Sequence, residues 1–493
     1  MAGEELKYKF GLRNSAGKYL TMESFGNKVN SNGSSLKTKQ VWTLEQDNNF
    51  VFLKSHKGFY LATDKNGNVS CDSDERGEGE KFEVDVQSDG RWALKSVPFG
   101  YFLSGLGDDR LTCSAKTIGE NELWMVHLAI HPQVCIKSVQ RSKYAHLEDG
   151  ELRFNEIVPW GSDAVIAMVF HEGRYALQVS NGKYVSLDGT LVDSIIDDAR
   201  YVIAFKEGHL ALRDNNGCYL TPAAGNGAVK KSTKSSIGKA QYLLLEDSAP
   251  QGVFYASDGR LASTRQGADV SANQKKGSPE EGEFSDKEIF QLEYVSDAER
   301  WAIRTVENEY WFLANSSGIQ AKAGINPKTD NSAHFQFEYV DGKMAIKASN
   351  DKYIFTKPAG HLYATSTSVA EKEKFTFECI NRPLLALKSS HGFIASRGAT
   401  KLECNRSNYD MFSVVFTEAG YTIGKGGSYW NVDPADKNAI LLGPSPAPFS
   451  LEFQGRSKLC IRAPNGKYLK SEQNGIFSAS ADEGGSANTF FEF

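Results

Sequence analysis

Gly17-Lys18-Tyr19-Leu20 is followed by Gly58-Phe59-Tyr60-Leu61, and the pattern returns at Gly217-Cys218-Tyr219-Leu220 and Gly466-Lys467-Tyr468-Leu469. Looser copies fill the intervals: Gly100-Tyr101-Phe102-Leu103, Lys143-Tyr144, Lys183-Tyr184-Val185, Gly259-Arg260-Leu261, Tyr310-Trp311, Lys352-Tyr353-Ile354, Gly392-Phe393-Ile394 and Tyr429-Trp430. The spacing is about forty residues, which marks one small supersecondary unit copied along the whole chain.

Each copy has the same order of parts. An alternating apolar segment runs into a Gly/Asn/Asp turn, the Tyr-Leu segment follows, and a second turn such as Lys65-Asn66-Gly67-Asn68 leads to a short segment such as Gly67-Asn68-Val69-Ser70. Closing segments alternate with period two, as in Trp42-Thr43-Leu44, Phe290-Gln291-Leu292, Phe335-Gln336-Phe337, Phe375-Thr376-Phe377 and Phe449-Ser450-Leu451. Aromatic and branched residues at that period predict strands with one buried face, and no long helical period competes with them. The chain therefore reads as all-β, with about twelve four-strand units. A propeller and a β-trefoil both use such units. Proline-marked junctions at His131-Pro132-Gln133-Val134, Ala249-Pro250-Gln251 and Asn381-Arg382-Pro383-Leu384 recur after every third unit, and proline suits the start of a strand. Grouping by three predicts four tandem β-trefoils that pack against one another, with boundaries at 1–131, 132–249, 250–380 and 381–493. The Tyr-Leu pairs are expected to fill the barrel cores.

The 493 residues carry a net charge of −5, so no basic coat for nucleic acid is expected and any cationic function must be local. Seven cysteines without a Cys-x-x-Cys pair argue against a disulfide framework or a zinc site and for a reducing cytoplasm. The polar start, Met1 to Lys9, is not a signal peptide, and no apolar run approaches membrane-spanning length. His127 and His131 stand four apart but flank a strand ending at a junction, where separate structural roles are expected. His171-Glu172-Gly173 does not continue into a protease motif, and Gly424-Lys425-Gly426-Gly427 lacks a strand-to-helix setting. Acidic runs such as Glu280-Glu281-Gly282-Glu283 read as solvated loops. No nucleophile, base and orienting acid assemble at any supported spacing, so neither an enzyme nor a cofactor or metal is expected.

Against the acidic total, four stretches carry cations alone: Lys28, Lys37 and Lys39 between Ser24 and Leu44; Lys137, Arg141 and Lys143 between His131 and Leu147; Lys230, Lys231, Lys234 and Lys239 between Asn215 and Leu245; and Arg382, Lys388, Arg397 and Lys401 between Cys379 and Leu402. One such patch reads as a solvated face. Patches on several rigidly joined domains read as a multivalent surface for an extended acidic polymer. Aromatics occupy the core positions of the repeats rather than alternating with the cations, which argues against nucleic acid.

The chain resembles the fascin family of actin-bundling proteins over its whole length. The resemblance rests on Phe10-Gly11-Leu12, on Phe25-Gly26-Asn27-Lys28-Val29-Asn30, on Ser34-Ser35-Leu36-Lys37-Thr38-Lys39-Gln40 with Trp42-Thr43-Leu44-Glu45, and on Val158-Pro159-Trp160-Gly161. It continues in Ser263-Thr264-Arg265-Gln266-Gly267, Ser271-Ala272-Asn273-Gln274, Ile380-Asn381-Arg382-Pro383 and Asn405-Arg406-Ser407-Asn408-Tyr409-Asp410. It implies a cytoplasmic monomer of four tandem β-trefoils packed in two lobes that crosslinks F-actin into tight parallel bundles in filopodia and related projections. It also implies a first actin-binding site of Lys18, Lys37, Lys39, Lys352, Lys357, His391, Arg397 and Lys467, and a second of Arg141, Lys143, Lys230 and Lys239. The local charge run adds Lys231 and Lys234 to the second. Thr38, Ser142, Pro358 and Gly398 depart from the family's basic pattern. Ser35 is implied as the target of a protein kinase C type kinase that switches bundling off; a phosphate beside Lys37 and Lys39 would cancel their field.

A carbohydrate-binding β-trefoil protein is the alternative. Such lectins resemble one another in repeated Gln-x-Trp triplets, of which this chain has Gln40-Val41-Trp42 alone. Fold by itself does not exclude sugar binding.

Overall fold

Glycine sets the repeat. In Asn14–Lys18, Gly17 N–H donates to Asn14 O (2.9 Å) and Asn14 N–H to Lys18 O (2.8 Å), with Gly17 at φ +76°. This three-residue hairpin loop ends in a left-handed residue, the geometry glycine adopts without strain. Gly58 (φ +90°), Gly217 (+79°) and Gly466 (+78°) close the same loop. Where the motif looks degenerate the geometry survives: Asn308 (φ +66°) stands before Tyr310 and Asp351 (+58°) before Tyr353. Asn and Asp are the residues that tolerate this region best after glycine. One strand further on, the pairing slips by a residue at Tyr19/Thr21, Tyr60/Ala62, Tyr353/Ile354 and Tyr468/Leu469. These bulges turn the strand and carry the following side chain inward. Leu20, Leu61, Leu103 and Leu469 are completely buried.

The computed structural model describes residues 8–47, 50–230, 235–278 and 283–493. Its regular elements are antiparallel strands joined by short turns, several of them single 3-10 turns. Lys231 and Lys234, and Glu280-Glu281-Gly282 of the acidic run that ends at Glu283, lie outside the described residues. Strands fall into four successive groups: a 12-stranded sheet from Lys9 to Leu128; a 10-stranded sheet with a two-stranded ribbon from Gln133 to Glu246; a 12-stranded sheet from Gln251 to Cys379; and a 13-stranded sheet from Leu384 to Glu492. In each group an early strand pairs with the last. Phe10 faces Leu128, Cys135 faces Glu246, Gly252 faces Cys379, and Lys388 faces Glu492. Such closure leaves no barrel edge open. The chain is four tandem β-trefoils, as the grouping by three predicts.

They form two compact units. One comprises Val158–Asp163 with Ser248–Phe493, the other the described residues of Glu4–Ile157 with Ala164–Asp247. A single apolar core runs through both trefoils of each unit. Within the second unit, Tyr175 Oη accepts Leu128 N–H (2.6 Å), Tyr8 packs edge-on against Phe205 (4.9 Å), and Arg213 reaches the carbonyls of Gln87 and Ser88 (3.3 and 3.1 Å). Gly90, at φ +90°, lies so near Val202 that a Cβ there would fall inside the valine side chain. The other unit repeats the device. Tyr421 Oη accepts Cys379 N–H (2.9 Å) and donates to Phe377 O (2.6 Å), and Phe453 N–H donates to Tyr339 Oη (2.8 Å). Paired trefoils are therefore joined by directional bonds through buried tyrosines as well as by apolar contact.

The tyrosine of the motif does something the sequence reading missed. Its ring is buried or half-buried and its hydroxyl donates to a glutamate: Tyr60 to Glu45 (2.7 Å), Tyr144 to Glu246 (2.7 Å), Tyr310 to Glu293 (2.8 Å), Tyr353 to Glu338 (2.7 Å) and Tyr468 to Glu452 (3.1 Å). Where Arg260 replaces the tyrosine, Tyr255 on the preceding strand reaches Glu378 (2.7 Å). A cation often covers the ring, as Lys54 does Tyr60 (4.9 Å), Lys137 Tyr144 (5.0 Å) and Lys347 Tyr353 (4.8 Å). Leucine fills the core and tyrosine pins its repeat to the closing strand of the neighbouring repeat. A hydrogen bond to a charged partner contributes about 1.5–3 kcal/mol.

Candidate functional site

Two of the cationic groups are built on the same piece of repeat. A 3-10 turn, Thr38–Gln40, follows the Val29–Gly33 strand. Buried Gln40 accepts Lys37 N–H (3.2 Å) and donates to Thr21 Oγ1 (3.1 Å), which itself donates to Tyr19 O (2.8 Å). The Lys239–Gln241 turn repeats this: Gln241 accepts Gly238 N–H (3.0 Å) and donates to Thr221 Oγ1 (3.0 Å), which donates to Tyr219 O (2.9 Å). The glutamines lock both turns against their hairpins, so the lysines outside them are held on a stiff base.

On the first turn Lys37 is exposed and Lys39 half-buried. Lys39 Nζ bonds Glu23 Oε2 at 2.9 Å, and this ammonium, with the Asn30 amide, holds the Glu23 carboxyl below the usual carboxylate range. The cation-only stretch that begins at Ser24 is thus neutralised in part from one residue outside it. Half-buried Ser35 precedes Lys37 by two residues, and Lys18 occupies the hairpin loop before Tyr19. On the second turn Lys239 is exposed, as is Lys230 on the neighbouring Val229–Lys230 strand. Arg141 is drawn to the same hairpin, but its guanidinium is occupied: it donates to Phe154 O (3.0 Å), Ala223 O (2.7 Å), Ala224 O (2.8 Å) and Gly225 O (3.1 Å). Its geometry is that of a clamp on the 223–225 loop. Lys143 begins the Lys143–Glu148 strand.

The remaining residues lie on the other unit. Lys352 and Lys357 flank the Tyr353–Thr356 strand, with Lys357 Nζ 3.3 Å from the Tyr363 ring centre. His391 precedes the Gly392–Arg397 strand; its backbone N–H donates to Ser389 Oγ (3.0 Å), and its buried Nε2 has no hydrogen-bond partner among the described residues. Arg397 pairs with Glu403 (2.7 Å) and exposed Lys467 with Asp482. Among the described residues no ion pair engages Lys18, Lys37, Lys143, Lys230, Lys239, Lys352 or Lys357. Of the described lysines and arginines expected in the two sites, these seven are free to meet an external anion, and Lys39, Arg397 and Lys467 must first exchange a partner.

Other side chains singled out by the sequence have structural places. His127 stacks on Phe170 (4.0 Å) and meets Tyr19 Oη through Nδ1 (2.9 Å); burial pushes its pKa down to about 4. His131 Nδ1 accepts Gln133 N–H (3.2 Å). The thiols of Cys71, Cys113, Cys379, Cys404 and Cys460 are pushed up to about 11 by burial. Gln40 and Trp42 of the lone Gln-x-Trp triplet are both buried, and the Trp42 indole N–H is spent on Leu20 O (3.1 Å), so this triplet offers no platform to a sugar. Among the described residues no group of His, Cys, Asp and Glu could hold a metal, and no helix is long and apolar enough to cross a membrane.

This assembly is a set of rigid β-trefoils bearing separate groups of unpaired surface lysines. The Fascin domain model matches it four times, at residues 16–126, 134–244, 257–377 and 390–492. A sea urchin (Strongylocentrotus purpuratus) protein named Fascin is 41% identical over 100% of both chains. Bovine Fascin-2 is 39% identical over 97% of this chain and 96% of its own, and mouse Fascin-3 24% identical over 96% and 95%. The chain belongs to the fascin family.

Proposed function

We propose that this protein crosslinks actin filaments into tight parallel bundles, acting as a monomer with at least two separate cationic surfaces. The observation that carries the reading is the family match in all four trefoils with near-complete coverage of the relatives. Family membership supports an actin-bundling protein rather than an enzyme. For the first actin-binding site, family resemblance implies Lys18, Lys37, Lys39, Lys352, Lys357, His391, Arg397 and Lys467. The second comprises Lys143, Lys230 and Lys239, with Arg141 clamping the 223–225 loop, and Lys231 and Lys234 added from the sequence alone. The lysines without an ion-pair partner support the reading, since their charge is available to an acidic filament. Phosphorylation of Ser35 by a protein kinase C type kinase would set up to about two negative charges beside Lys37 and release the filament. The site of action is the actin cytoskeleton of the cytoplasm, in filopodia and other projections. We take the trefoil boundaries at 131/132, 249/250 and 380/381.

Cosedimentation with actin filaments tests the reading. Bundles should pellet at low centrifugal force and disperse as salt rises, because exposed lysine contacts are screened. Ser35→Glu should weaken bundling at low salt. A parent protein that leaves filaments in the low-speed supernatant at every salt concentration contradicts the proposal.

A further inference from the structure

Twelve hairpins, one per repeat, project tips of two to six residues between the Tyr-Leu strand and its partner. Their sequences are those of turns, such as Asp64-Lys65-Asn66-Gly67-Asn68, Asp149-Gly150 and Gly398-Ala399-Thr400. Glu23-Ser24-Phe25-Gly26-Asn27-Lys28 alone carries a Phe, Tyr or Trp. Phe25 is 90% exposed, the most exposed large apolar side chain among the described residues; Ile476 (46%) is the one other at a tip. Nothing in the turn calls for it. Gly26 and Asn27 supply the left-handed pair (φ +69° and +49°), and Glu23 N–H closes the tip on Lys28 O (2.8 Å).

The tip is also braced. Lys57, from the next repeat, reaches across to Ser24 O (3.3 Å) and Asn27 Oδ1 (2.6 Å). At its base Glu23 receives Lys39 from the 3-10 turn and the Asn30 and Asn32 amides (3.1 and 3.3 Å). Phe25 is thus presented on a held loop, beside exposed Lys28 and joined through Glu23 to the turn that bears Lys37. An exposed aromatic with few rotamers to lose, on a braced loop that also carries a lysine, is the composition of an interface anchor.

We propose that Phe25 is the apolar anchor of the first cationic surface, inserting into an apolar pocket on the acidic filament while the surrounding lysines steer the approach. This rests on the proposed actin-bundling reading. It adds a contact of a different kind, whose energy comes from removing a ring from water and therefore does not fall with ionic strength as the lysine contacts do.

The test compares parent, Phe25→Ala, Phe25→Leu and Lys37→Glu in actin cosedimentation at low and high force across a salt series. Phe25→Ala should raise the protein concentration for half-maximal bundling at least about fivefold at every salt. Phe25→Leu should recover part of the loss, and both should keep the parent's salt slope; Lys37→Glu should make the slope shallower. Unchanged melting of the Phe25 variants separates the loss from misfolding. Bundling by Phe25→Ala equal to a bundling parent overturns the anchor and leaves the wider reading standing, whereas a parent that sediments no filaments removes both. Sedimentation velocity of the protein alone and flotation with phosphatidylserine vesicles complete the set. If Phe25→Ala alters self-association or vesicle binding while actin bundling is intact, the anchor belongs to another partner and the proposal fails.

Discussion

Tyr19 and His127 occupy the repeat positions that elsewhere hold Tyr and Glu, so a neutral imidazole stands where other repeats place a carboxylate. His127 is also sandwiched by Phe170 from the neighbouring trefoil, and charging it would put an unpaired cation between rings. Its folded pKa of about 4 lies below the ordinary 6.5. The unfolded chain therefore binds the proton first, and this contribution to stability is complete above the ordinary value and drains away as pH falls toward the folded one. The full window is worth up to about 3 kcal/mol. Thermal melts should show less stability at pH 5 than at pH 7, and His127→Gln, which keeps an acceptor for Tyr19, should shrink that difference; an equal difference in the variant would contradict the assignment. Residue pairing of this kind was only half legible in the sequence. The closing strands read Leu44-Glu45, Leu292-Glu293, Phe337-Glu338, Phe377-Glu378 and Leu451-Glu452, so the glutamates stood one place beyond the alternating triplets that marked the strands. Their partners lie across a hairpin or a whole barrel, which no local pattern reveals. Lys39 with Glu23, Lys467 with Asp482, and Arg141 on the 223–225 carbonyls were hidden for the same reason.

At the scale of the element, the hairpin loop decides how far a motif can drift and still fold. Gly58 has nothing but the flexible Lys54 tip near a would-be Cβ, so Gly58→Ala should cost only the left-handed backbone, about 1–2 kcal/mol. Asp351 holds the equivalent place at φ +58°, so Asp351→Gly should be neutral or stabilising. Urea unfolding of both variants checks the pair, and destabilisation by Asp351→Gly would show that its side chain matters more than its dihedral. Loop, strand and period were readable because they follow from backbone geometry that few residue types satisfy. The exposed ring at the first hairpin tip was readable as a residue but not as an anomaly, since its exposure emerges only when all twelve tips are compared in space.

Across the whole molecule, the four barrels follow from first-to-last strand pairing within each group of three repeats, and prolines already marked those groups in the sequence. The joining of trefoils in pairs through Tyr175 and Tyr421 could not be read, because each hydroxyl serves a backbone N–H contributed by another trefoil. These joints matter to the proposed function, for a bundler must hold its filament surfaces at a fixed separation. If the surface at Lys230 and Lys239 is a filament site distinct from that at Lys37, reversing its charge should disable crosslinking without abolishing attachment. The decisive measurement is cosedimentation of Lys230→Glu/Lys239→Glu with actin filaments at two forces. The account predicts that the variant still pellets with filaments at high force but no longer brings them down at low force. Undiminished low-speed bundling by this variant would contradict it.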